Sequence, residues 1–186
     1  RDAYELSLVF EPKDVYVIEA HPLFAEQIVE KYHVFTVSNI AASNYDGEFI
    51  FNSVTSDSVN LGMSSLLDRE ESYPSYDIIY EPIRINCMRM DTYCSLREID
   101  SIDLLKIDVE GFSYEVLDGF GDYLDIVKCI HVECEHEPVW KGQKLYTDVE
   151  KLLIEKGFIP VSMRIGFPQS DSVWIRRDLY NPNWAN

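Results

Sequence analysis

Apolar residues recur along this chain in short blocks that alternate between two periods, about two residues and about 3.6 residues, with no long linker, low-complexity tract or repeat between them. Such a pattern predicts one α/β domain over residues 1–186. Asp2 and Glu5 cap a first helix carrying Leu6, Val9 and Phe10, and Val15 to Glu19 reads as a strand. Pro22 opens a second helix whose buried face is Ala25, Ile28, Val29 and Tyr32. Strands follow over Val34 to Ile40 and around Phe49 to Phe51, and the polar run Asn52 to Ser65 reads as a long loop. Ile83, Ile85 and Cys87 alternate as a strand, and Asp91 caps a short helix. Ile126 to Glu133 is another strand. Thr147 and Glu150 have capping-box spacing ahead of a helix burying Val149, Leu152 and Leu153, which Gly157 stops. Phe158 to Met163 and Ser172 to Ile175 form a closing pair of strands.

The most informative break in the pattern is IDLLKIDVEGFSYEVLDGF, residues 102 to 120. Leu104, Leu105, Ile107 and Val109 read as a buried parallel strand, yet Lys106, Asp108 and Glu110 project together by the two-residue period. Burying unpaired charges costs several kcal/mol, so these three must pair or do chemistry. Gly111 then frees the backbone to turn, and Phe112, Val116, Leu117 and Phe120 share one face of the following helix. The acids therefore lie at a strand's carboxyl end, where open α/β sheets bind ligands.

Lys106-x-Asp108-x-Glu110-Gly111, followed by a helix ending Val-Leu-x-Gly, resembles the FkbM family of S-adenosylmethionine-dependent methyltransferases. The likeness extends to VYVIEAHPLF at 15 to 24, VSNIAASNYDGEFIF at 37 to 51 and MRMDTYCSL at 88 to 96, in the family's order. It implies a Rossmann-like methyltransferase fold, mostly parallel, with helices on both faces of the sheet. The family's first strand and its Gly-rich turn would precede the first helix and are not in this sequence. That strand lies mid-sheet in the family, so the expectation is a chain truncated at its N-terminus.

The resemblance implies an O-methyltransferase acting on a small-molecule or carbohydrate hydroxyl. Methyl transfer to oxygen needs a base for the hydroxyl proton, and Asp108 and Glu110 are the first candidates, with Lys106 able to hold one of them ionised. The second strand end supplies His131, Glu133, Glu135 and His136, of which Glu133 and His136 join the catalytic candidates and His131 the substrate-facing ones. Glu19, at the end of an apolar strand, is placed to accept both ribose hydroxyls of a nucleoside cofactor, although nicotinamide-dependent dehydrogenases put an acid at a similar point. Asn39, Ile40 and Ala41 stand where the resemblance would place adenine. Ser64 and Ser65 match a Ser-Leu element over the family's site and are candidate substrate contacts. Trp140, Tyr146 and Trp174 are either core or a stacking surface for a sugar.

Composition narrows the alternatives. At 186 residues, 46% of them hydrophobic, the chain can bury a real core, and a net charge of -17 argues against binding nucleic acid through phosphates. No apolar run approaches the ~20 residues of a membrane span and no signal peptide is visible, so a soluble protein is expected, and reduced cysteines are the ground for expecting the cytoplasm. Cys87, Cys94, Cys129 and Cys134 lack disulfide-framework spacing, and the CIHVECEH run fits neither familiar zinc pattern. Two other functions stay open, a non-catalytic interaction module and an acid- and histidine-based metal hydrolase, and the cluster also permits a divalent metal on Asp108, Glu133 and a histidine that polarises the acceptor oxygen.

Overall fold

Strands and helices follow the order the polarity pattern predicts, with four strands in succession between the second and third helices and a closing pair of strands at the end. The computed structural model describes residues 2–55, 62–72 and 78–181. Helix α1 (Asp2–Leu6) stops before Val9, which is exposed. Strand β1 (Tyr16–Ile18) leads into α2 (Pro22–Lys31), opened by Pro22 as expected because a first-turn residue has no need of its N–H. Ala25 is buried on the predicted face, but Val29 is half exposed and Tyr32 ends the helix.

Strand β2 (Thr36–Ser38) pairs parallel with β1. The expected strand to Ile40 ends early because Asn39 turns its amide onto the Glu19 and Ala20 carbonyls, at 2.9 and 3.1 Å. β3 (Ala41–Ser43) then joins a different sheet. There β5 (Tyr80–Arg89) lies between β3 and β4 (Gly47–Val54), parallel to the first and antiparallel to the second. Part of the expected long loop is thus strand: Asn52 belongs to β4 and bridges Ser65, while residues 56–61 lie outside the described residues.

Helix α3 (Met90–Leu96) follows β5 directly. Asp91 lies inside its first turn rather than capping it, where it takes the Arg89 guanidinium at 2.7 Å and the Thr92 N–H at 2.7 Å. Next come β6 (Ile102–Ile107), α4 (Ser113–Phe120), β7 (Val127–Glu135), α5 (Tyr146–Glu155), β8 (Phe158–Ile165) and β9 (Gln169–Arg176). These strands form a sheet in the order β6-β7-β9-β8, with β6 and β7 parallel and β9 antiparallel to both its neighbours. The expectation of a mostly parallel sheet is therefore corrected to mixed sheets. Gly166, Phe167 and Pro168 alone join β8 to β9, and so short a return permits only an antiparallel pair.

At the start of α5 the cap is Asp148, whose carboxylate accepts the Leu145 N–H at 3.0 Å. The expected Thr147 and Glu150 box is displaced by this earlier start, and Glu150 instead takes the Tyr146 hydroxyl at 3.2 Å. Trp140 and Trp174 are fully buried and Tyr146 nearly so, which makes all three packing residues and not an exposed sugar platform.

Helix α4 fixes the site's position. Its predicted face, Phe112, Val116, Leu117 and Phe120, is buried, and it packs on β3, α3 and α5. Contact with β3 is so close that a methyl on Gly119 would collide with the Ser43 carbonyl oxygen, which is backbone and cannot swing away. Gly119→Ala is accordingly expected to cost about 3 kcal/mol and lower the thermal midpoint by roughly 10 °C, read by thermal unfolding.

Candidate active site

The parallel pair β6 and β7 brings its acids to one sheet edge. Asp108 follows β6 immediately, and the next turn holds Glu110 at φ 48° and Gly111 at φ 88°, both in the left-handed region. A non-glycine residue there must be held, and the Ser65 hydroxyl does so by donating to the Glu110 carbonyl at 2.6 Å. Ser113, the first residue of α4, donates to the Glu133 carbonyl at 2.8 Å and ties the helix start to β7. As a result Asp108, Glu110 and Glu133 present carboxylate oxygens within 4.8 Å of one another.

Crowding and burial set their chemistry. Burial pushes the Glu110 carboxyl up to about 8, the Glu133, Asp108 and Glu135 charges push the same way, and Arg69 opposes them. Glu133 is raised to about 7, again by burial first, then by Asp108, Asp171 and Glu135, with Lys106 opposing. Two carboxyl groups thus exchange protons near neutrality.

Lys106 lies opposite His131 in the β6/β7 register, and its ammonium stands 3.5 Å from Asp108 and 3.7 Å from Asp171. His131 Nε2 is 3.1 Å from the same Asp171 oxygen. His136 is not brought to the cluster. β7 runs through Glu135, so by alternation His131, Glu133 and Glu135 share one face while Cys134 and His136 take the other. The His136 ring meets Ser170 Oγ at 2.9 Å and lies beside Tyr146. The same parity separates Cys129 and His131 from Cys134 and His136, and the acid trio is the one grouping of three metal-capable side chains among the described residues.

Ser64 and Ser65 are occupied with backbone: Ser64 Oγ accepts the Val54 N–H at 2.9 Å, and Ser65 Oγ, besides donating to Glu110, accepts the Leu67 N–H at 3.1 Å. Asp171 and Gln169 also border the acid cluster, and the sequence reading passed over them. They come from β9, whose register sets Asp171 beside Glu133 and Gln169 beside Glu135, and Gln169 donates to Glu133 Oε1 at 3.1 Å. Their signal was available in QSDSVWIR, where Gln169 and Asp171 alternate with the buried Ser170, Ser172 and Trp174.

Glu19 lies at the end of β1. Its carboxylate accepts the His21 N–H at 2.8 Å, and burial raises its pKa against the pull of that bond. Asn39, already bonded to the Glu19 carbonyl, is also in the wall of a cavity of about 470 Å³ lined by Ser38, Ile40, Met88, Tyr93 and Leu96. Ala41 lies beyond that wall, buried in β3 opposite Cys87. The cavity has an apolar side in Ile40, Met88 and Leu96 and a cation in Arg97, and the half-buried Glu19 carboxylate is not among its lining residues.

Residues 5–160 match the methyltransferase FkbM domain, and the chain belongs to that family. Among curated proteins, the 2-O-methyltransferase NoeI of Sinorhizobium fredii (strain NBRC 101917 / NGR234) is similar to it, with 32% identity over 62 residues. That stretch is 33% of this chain and 26% of NoeI, so the chain spans about a quarter of its relative's length. No solved structure matches. No helix among the described residues is long and apolar enough to cross a membrane.

Proposed function

We propose that the chain is the catalytic part of an S-adenosylmethionine-dependent O-methyltransferase with a Rossmann-like arrangement, acting on a hydroxyl of a small molecule or carbohydrate. The observation that carries this reading is the acid trio at the ends of β6 and β7, Asp108 exposed and Glu110 and Glu133 half-buried, with two carboxyl groups raised toward neutral pH. Family membership supports the methyl-transfer class. S-adenosylmethionine, when bound, supplies an electrophilic methyl group on its sulfonium. Glu19, Asn39 and Ile40 are the residues that would hold its nucleoside.

The protein's own part is to hold the acceptor hydroxyl and receive its proton. Glu110 or Glu133 takes that proton. Ser65 fixes the backbone of Glu110, while Ser113 and Gln169 fix the backbone and carboxylate of Glu133. Lys106, between Asp108 and Asp171, balances the charge of the surrounding acids. Because a base must be ionised, turnover is expected to rise as pH passes from about 6 to 8. Lys106 lowers the Glu133 pKa, so Lys106→Met is expected to move the midpoint of that rise to higher pH, read in a pH–rate profile.

The cofactor assignment is tested by calorimetric titration of S-adenosylhomocysteine into the native polypeptide, with Glu19→Ala beside it. Saturable binding that weakens about tenfold or more in the variant is expected, since a charged hydrogen-bond acceptor is lost. Absence of binding would favour the non-catalytic module. A divalent cation among Asp108, Glu110 and Glu133 is the second reading, favoured by the closeness of their oxygens. Loss of activity on chelation, restored by magnesium or manganese, would select it.

A further inference from the structure

A second cavity, of about 510 Å³, opens between two chain segments, residues 68–72 and 137–143, and its volume falls within the ~300–1,000 Å³ of small-ligand sites. We propose that this cavity is the acceptor site and that it selects by charge, taking polyhydroxylated molecules that are neutral or carry an amine and rejecting those that carry phosphate or carboxylate. The proposal rests on the methyl-transfer reading and adds to it the place of the acceptor and the sign of its charge.

Three observations carry it. First, the walls are built: Glu70 N–H donates to the Val139 carbonyl at 3.0 Å, Lys141 N–H to the Asp68 carbonyl at 2.8 Å, and the Arg69 guanidinium lies 4.8 Å over the Trp140 ring. Second, two lining residues, Gln143 and Trp140, reach residues that neighbour the acid trio. Gln143 Oε1 accepts the N–H groups of Val139 and Trp140, both at 2.6 Å, and its Nε2 donates to the buried Glu135 at 3.0 Å. The Trp140 ring in turn packs so tightly on Gly111, next to Glu110, that a methyl there would strike it.

Third, the charges in the wall have one sign. Glu70 and Glu137 line the cavity with Ser72 and Gln143, whereas the nearby cations face other groups, Lys141 toward Glu71 at 2.9 Å and Arg69 over Trp140. Carboxylates are acceptors only, so they are matched by hydroxyl or ammonium donors. An anionic ligand would meet Glu70 and Glu137 with no cation among the described lining residues to offset them, a repulsion that serves selectivity.

The test is a titration of ¹⁵N-labelled native polypeptide with glucosamine and, separately, with glucose 6-phosphate, following the Gly142 amide and the Trp140 indole N–H. Saturable shifts at both signals with glucosamine, none with glucose 6-phosphate at equal concentration, and about tenfold weaker glucosamine binding in Glu137→Gln and Glu70→Gln are expected. Equal response to the phosphate, shifts mapping to other residues, or no response to glucosamine would overturn the assignment. S-adenosylhomocysteine titrated into the same samples separates two failures. If it binds while glucosamine does not, only the cavity assignment falls; if it does not bind, the methyl-transfer reading falls and this proposal with it.

Discussion

Glu110→Gln is expected to lower methyl transfer by about 100-fold or more and, at pH 8, to make the protein more resistant to heat. The two effects share one cause. Glu110 is held in a site that disfavours its charge, with its carboxyl raised from 4.5 to about 8. An acid whose folded pKa lies above its unfolded value contributes stability that is full below about pH 4.5 and is lost as pH rises through about 8. At pH 8 the native protein therefore bears the cost of an ionising, crowded carboxylate that a neutral amide of the same shape escapes. Gain in thermal midpoint should be roughly 5 °C at pH 8, corresponding to ~2 kcal/mol, and should vanish near pH 5. Calorimetric unfolding at the two pH values checks it, and an equal midpoint shift at both would show that Glu110 is not a strained acid.

Gly111→Ala should cause the other large effect, this time on folding and on the site together. Gly111 has φ 88°, a conformation worth about 1–3 kcal/mol of strain to any side chain, and an added methyl would drive into the fully buried Trp140 ring. Overpacking of that kind adds about 1–3 kcal/mol. Gly142→Ala isolates the second contribution, because Gly142 has φ 73° yet open space where its methyl would go. Urea unfolding should show Gly111→Ala losing more stability than Gly142→Ala by at least about 1 kcal/mol. Equal losses would mean that Trp140 yields freely, and the rigid link between Glu110 and the second cavity would be lost with it.

What could be read in the sequence was what neighbouring residues decide among themselves. The stretch from Lys106 to Phe120 is legible because a strand period, a glycine and a helix period follow one another within one local segment, but the strand expected through Val109 ends at Ile107, and Asp108 and Glu110 stand in the turn beyond it. Glu133 was found by the same alternation on β7. His136 lies away from the acid cluster because β7, expected to end at Glu133, continues through Glu135, and parity carries His136 to the opposite face. Asp171 and Gln169 escaped because their place beside Glu133 and Glu135 depends on the antiparallel register of β9, a pairing between residues 38 and 34 apart in sequence. The mixed sheets arise likewise from tertiary pairing, and the split after Ser38 from one amide, that of Asn39, bonding across to another strand end.

The central claim is that the acid trio receives the proton of a hydroxyl as that oxygen is methylated. Its most direct test is transfer of a tritiated methyl group from S-adenosylmethionine to a mixed pool of small molecules and glycans, comparing the native polypeptide with the Glu110→Gln, Glu133→Gln double variant and identifying the labelled bond. The account predicts label in methyl ethers with the native protein and about 100-fold less with the double variant. Label in any other bond, equal label with the variant, or no transfer at all would contradict it.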